Sequence, residues 1–173
     1  MSHHTQGQAV HIQQPLGLST RLFILIAILY SSTVQSIGAN SDALPAYCVQ
    51  APHPILITVL GLRNTHGSIK AKLYGDNPDE FLVSGKKLDT KRESAEIPST
   101  RICLQAPSPG TYAIVVHHDE NRNKKLDTNW IGLPTEGIGF SNNPELGLTQ
   151  PAHDDVAFQV RDGLTKVTIT LQY

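Results

Sequence analysis

Apolar side chains recur at every second position along most of this chain, and a period of two restricts it to sheets before anything else is considered. In residues 55–60 Ile55, Ile57 and Val59 fall on one side and Leu56, Thr58 and Leu60 on the other. In residues 68–74 (SIKAKLY) Ile69, Ala71 and Leu73 oppose Lys70 and Lys72, so one face must be buried while the lysine face meets water. Residues 100–105 (TRICLQ) and 111–117 (TYAIVVH) continue the pattern, as do 156–160 (VAFQV) and 165–173 (TKVTITLQY). Glycine, proline and asparagine clusters separate these segments, and thirteen Gly with eleven Pro leave little room for long helices. The spacing predicts that neighbouring segments pair as hairpins: 55–60 with 68–74, 100–105 with 111–117, and 156–160 with 165–173. It also predicts that Ile57, Val115 and Ile169 share one interior. Six strands, with the charged stretch 82–97 open between a seventh, edge strand and a helical turn, leave sheet on sheet as the layering. The expected fold is an all-β, antiparallel β-sandwich of about seven strands.

Length and charge narrow the class further. A chain of 173 residues supports one ordinary domain, and roughly 130 residues would remain after loss of a targeting segment. Fourteen Lys and Arg against fifteen Asp and Glu give no net field toward nucleic acid or anionic lipid. Phosphate-cradling glycine loops are absent, and no nucleic-acid partner is expected. Arg21 is followed by the apolar run 22–30 (LFILIAILY) and then by small polar residues, the order of a signal peptide. Nine apolar residues, or about thirteen with Val34, fall short of the roughly 20 that a bilayer core requires. Residues 1–43 are therefore read as a signal peptide or hydrophobic N-terminal segment, with cleavage after Ser36, Ala39 or Ala43. Residues 44–173 are the domain. The alternative is an anchor through residues 22–34, the only route to a membrane. Cys48 and Cys103 both follow any cleavage point, and in a periplasmic or secreted protein such a pair is expected to form a disulfide.

The candidate chemistry lies in the long polar connection 118–155, since structureless loops of that length usually carry function. Asp119, Asn121, Asn123, Lys125 and Asp127 stand at alternate positions, a spacing that turns successive oxygens inward for Ca²⁺ and resembles the start of an EF-hand loop. Position six is Lys124 where glycine is usual, and position twelve is Trp130 where a bidentate glutamate is usual. Glu136, Asp154 or Asp155 would have to fold back to complete the shell. The competing expectation is that these side chains form Asx turns that cap their own backbone. In a second reading, Trp130 and Phe140 offer an apolar platform to a sugar or peptide, with Glu136, Asn142 and Asn143 supplying hydrogen bonds. Gly137 and Gly139 would allow positive φ or close backbone approach. A metal-dependent hydrolase around His118 and Asp119 is the least supported reading, because no H-x-H or H-x-x-x-H spacing marks a transition-metal site. A serine mechanism is no better placed, since Ser141 in GFSNN lacks the nucleophile-elbow pattern.

The run HHDENRNKKLDTNWIGLPTEGIGFSNN, with PGTYAIVVHHD before it, resembles the signature of a family of small exported bacterial proteins, domain of unknown function 2141. The likeness covers residues 57–173. It implies a transthyretin-like or prealbumin-like β-sandwich with no established activity, and a loop in which other members carry glycine at the place of Lys124. The expected function is a non-enzymatic binding or structural module of the cell envelope. Its partner would be an envelope protein or glycan, and its loop would be stabilised by calcium.

Overall fold

The computed structural model describes Leu44 and residues 46–173. The apolar run 22–30 and the expected cleavage positions lie outside the described residues. A short helix α1 (Ala46–Val49) precedes strands β1 (Pro54–Leu60), β2 (Ser68–Tyr74), β3 (Asp89–Ser94), β4 (Thr100–Gln105), β5 (Gly110–Asp119) and β6 (Ile138–Phe140). Helix α2 (His153–Val156) and strands β7 (Phe158–Val160) and β8 (Thr165–Thr170) follow. Two sheets result, one ordered β4-β1-β8 and the other β3-β2-β5-β6, with β7 joining β5 beyond the end of β6. Among the described residues no helix is long and apolar enough to cross a membrane.

The alternating residues meet where the period of two places them. Ile55, Ile57 and Val59 of β1 pack with Ile69, Ala71 and Leu73 of β2, Ile102 and Leu104 of β4, Ile114 and Val116 of β5 and Ile169 of β8. Each large aliphatic sealed in this layer stabilises the fold by about 1.5–3 kcal/mol relative to an exposed one.

Strand partners differ from the expected hairpins. β1 pairs antiparallel with β4 and parallel with β8, while β2 pairs with β3 and β5, and β7 pairs with β5 rather than β8. Alternation fixes which face of a strand is buried but is silent on its neighbour, and each of the three expected turns instead carries the chain across to the opposite sheet. The β1–β8 pair also makes the sandwich mixed rather than purely antiparallel. The charged stretch left open by the sequence contains the edge strand β3.

Val115 departs from expectation in a second way. It sits on the outer face of its sheet, in a separate cluster with Tyr74, Ala113, Phe140 and Val156, so it shares no interior with Ile57 and Ile169. Phe81, Leu82 and Leu146 pack against that cluster, and β5 is buried on both sides. On the small sheet the outer face is closed by α1: Cys48 forms a disulfide with Cys103, Cα atoms 5.6 Å apart, over Leu56.

Candidate functional site

Strand β5 ends in His117, His118 and Asp119, which are buried rather than at the surface. Alternation sends His118 inward, where Nδ1 lies 2.7 Å from the Tyr173 hydroxyl and Nε2 lies 2.7 Å from the His66 carbonyl oxygen. A carbonyl only accepts, so the ring hydrogen is on Nε2 and Nδ1 accepts from Tyr173. Both nitrogens are thereby used, Nε2 in holding loop 61–67 to the sheet and Nδ1 in holding the C-terminal Tyr173.

His117 and Asp119 face outward from the core and are covered by the loop. Nε2 of His117 is 2.8 Å from Oε2 of Glu136, and the same carboxylate accepts the backbone N–H of Glu120 at 2.9 Å and of Asp127 at 3.2 Å. Glu136 therefore ties both ends of the 120–127 turn to the strand. Oδ2 of Asp119 accepts from Nη1 of Arg92 at 2.6 Å and from the Lys124 N–H at 3.0 Å, and Nη1 also donates to Ser68 Oγ. Burial opposes ionisation of Asp119. The hydrogen bonds from Arg92 and Lys124, with the charges of Arg92 and His117, outweigh it and hold the carboxyl below its ordinary range. Its second oxygen, Oδ1, is buried with no hydrogen-bond partner. Glu120 is likewise depressed: burial raises it, but Asn64 and the Arg63 guanidinium, 2.6 Å away, prevail.

All five residues expected to line a metal loop belong to one compact turn. Asn121 Oδ1 accepts from Asn123 N, and Asn123 Oδ1 accepts from Lys125 N. The amide nitrogens of Asn121 and Asn123 donate to the two oxygens of Asp127, at 2.5 and 2.8 Å. Arg122 and Lys124 adopt positive φ, +63° and +66°, so Lys124 takes the left-handed conformation that glycine serves more cheaply. The expected Asx turns are thus present. Each amide oxygen keeps a second lone pair, and Asp119 Oδ1 keeps both. Of the acids expected to fold back, Glu136 does so, onto backbone and His117. Asp155 instead accepts from Ala152 N at the start of α2.

The second set of residues does not form one surface. Trp130 is 94% exposed at the tip of a small hairpin closed by Asn129 and Leu133, whereas Phe140 is 3% exposed and part of the outer cluster. Phe140 lines a groove of about 280 Å³ that Trp130 does not line. Asn142 donates to the Ala157 carbonyl, and Asn143 bridges Thr168 and Thr170 of β8. Glu136 is buried beneath the loop. The platform fails because Phe140 alternates toward the covered half of the sheet. Gly137 and Gly139 serve close approach: a Cβ on the former would meet the Tyr173 ring and on the latter Ile169. Ser141 hydroxyl donates to the Val156 carbonyl and accepts from Ile114 N, stapling β5 to α2.

Arg92, Arg63 and the bracing role of Glu136 escaped the sequence reading. Arg92 lies in DTKRES, where charge hides the strand pattern. Glu136 carried a signal in being the lone charge between Asp127 and Glu145.

No curated protein and no solved structure matches this chain. Residues 57–168, more than half of the chain, match the profile of a family described as an uncharacterized protein conserved in bacteria, and the chain belongs to that family, DUF2141.

Proposed function

We propose that this protein is an exported, non-enzymatic binding or structural module of the cell envelope whose loop 119–127 is ordered by Ca²⁺. The observation that carries the reading is the buried, unpartnered Oδ1 of Asp119 beside a turn of EF-hand-like spacing. An unpaired carboxylate oxygen out of water is costly, and a hard cation satisfies it. Asp119 and Asp127 would supply charge, Asn121 and Asn123 amide oxygens, and Lys125 its backbone carbonyl. Only two carboxylates are in the set, and Arg92 offsets one of them. The site therefore belongs with weak extracellular calcium modules, Kd on the order of 0.1–1 mM. The disulfide suits an oxidising compartment, and the apolar run 22–30 suits export. The side chains considered for catalysis, His118, Asp119 and Ser141, are committed to structural hydrogen bonds.

Calorimetric unfolding with about 10 mM calcium against chelator tests the metal. Binding to the folded state alone predicts roughly 1.5–3 kcal/mol of added stability, a rise in Tm of roughly 5–10 °C. Asp119→Asn should abolish most of it. An unchanged Tm rejects the metal.

The glycan or peptide reading keeps one observation in its favour, the exposed indole of Trp130. It stands on Trp130 alone, and fluorescence titration with envelope glycans tests it: no spectral response eliminates it.

A further inference from the structure

The outer face of the β3-β2-β5 sheet is divided. At one end Tyr74, Val115 and Phe140 are roofed by Phe81, Leu82 and Leu146. At the other, Lys70 stands opposite Arg92 on β3 and His117 on β5, with Lys72 two residues along the strand. Beside them is a groove of about 450 Å³ lined by Ser68, Arg92, Glu93, Ser94, Arg122 and Lys124. Glu93 accepts from the Tyr47 hydroxyl, and Asp119 is sealed beneath Arg92. In a chain of net charge −1, cations have been gathered onto one face.

We propose that this cationic face binds an acidic polysaccharide, a sugar chain bearing sulfate or phosphate groups. Charge complementarity carries the choice of occupant. Neighbouring positive groups repel one another, so their clustering is a cost that a multivalent anion removes. The repulsion is legible in both lysines. Burial lowers the pKa of Lys70, and Arg92, Lys87 and Lys124 lower it further against the pull of Asp119. Burial likewise lowers Lys72, with Lys70, Lys87 and Arg92 adding to it. The groove is concave, which suits a chain better than the surface of a bilayer. No aromatic ring lines it to stack nucleobases, which argues against single-stranded nucleic acid. Arg92 touches the calcium ligand Asp119 and the groove borders the calcium loop, but Lys70, Lys72 and Lys87 lie outside that ligand set, so variants at these lysines measured in chelator separate this proposal from the calcium reading.

Fluorescence anisotropy of labelled dextran sulfate, titrated with the whole chain in chelator, tests the face without the metal. Binding should weaken steeply with salt, and neutral dextran should not bind. Lys70→Gln with Lys72→Gln should weaken binding roughly tenfold, and Lys87→Gln, in an exposed loop, roughly threefold. Lys166→Gln, on the other sheet, should leave it within about twofold. Circular dichroism establishes that each variant is folded, and if the double variant is not, Lys87→Gln decides. Absence of binding, equal losses at Lys166 and Lys87, or tighter binding to anionic vesicles or single-stranded DNA than to dextran sulfate overturns the proposal.

Discussion

Asp119 concentrates the chemistry of the loop: one oxygen is shared between a guanidinium and a backbone N–H while the other is bare. With Glu120 beside it, it makes the fold acid-sensitive in a definite direction. Both carboxyls titrate below their ordinary ranges in the folded state, so their stabilisation is complete above those ranges and is lost as pH falls through the depressed values. Denaturant unfolding between about pH 7 and pH 2 should show stability falling below about pH 4. Glu120→Gln, which cannot titrate, should fall less steeply, and parallel acid limbs would refute the assignment. The basic residues give a pH slope of the same sign, but through charged forms that destabilise rather than stabilise the fold. Lys70 and Lys72 have lowered pKa values, so their charged forms cost stability below those values and relief comes as pH rises through them. This cost is consistent with a face held ready for anions.

At the scale of elements, loop and sheet are joined by backbone contact as much as by side chains. Gly67 has φ +72°, and a Cβ there would run into the backbone of Asp119 and Glu120. Gly67→Ala should therefore cost about 3 kcal/mol or more in denaturant unfolding and displace the start of loop 119–127; a loss under about 1 kcal/mol would show that the approach is relaxed. Much of this level was legible in the sequence, because alternation reports burial directly: Ile55, Ile57, Val59, Ile69, Leu73, Ile102 and Leu104 all lie in the core as expected. Pairing was not legible. Period two assigns a face without a neighbour, and β3 is too charged, and β6 too short, to show a period. The Asx turns of the loop were legible because local spacing sets their geometry. Arg92, which lies far from them in sequence, reaches Asp119 only through the β3-β2-β5 register.

For the whole molecule the sandwich explains why the loop can be ordered. β5 is buried on both faces and carries Asp119 at its end, and β6 returns the chain beside it, so the 120–137 excursion is anchored at both ends. The small sheet is closed by a disulfide spanning 55 residues. Closing a loop of that length stabilises by about 4 kcal/mol through the unfolded chain. Replacing Cys48 and Cys103 with serine should lower unfolding stability by about that much while preserving the sheet signature in circular dichroism, and a change below about 1 kcal/mol would remove the bridge from the account.

The central claim is that Asp119 Oδ1 is held open for a hard cation, and a crystal structure grown in calcium tests it most directly. The account predicts an anomalous peak with Asp119 Oδ1 and the oxygens of Asn121, Asn123, Lys125 and Asp127 around it at about 2.3–2.6 Å. An Asp119 carboxylate still bare on that side, with the Asn121 and Asn123 amides still donating to Asp127, would contradict it.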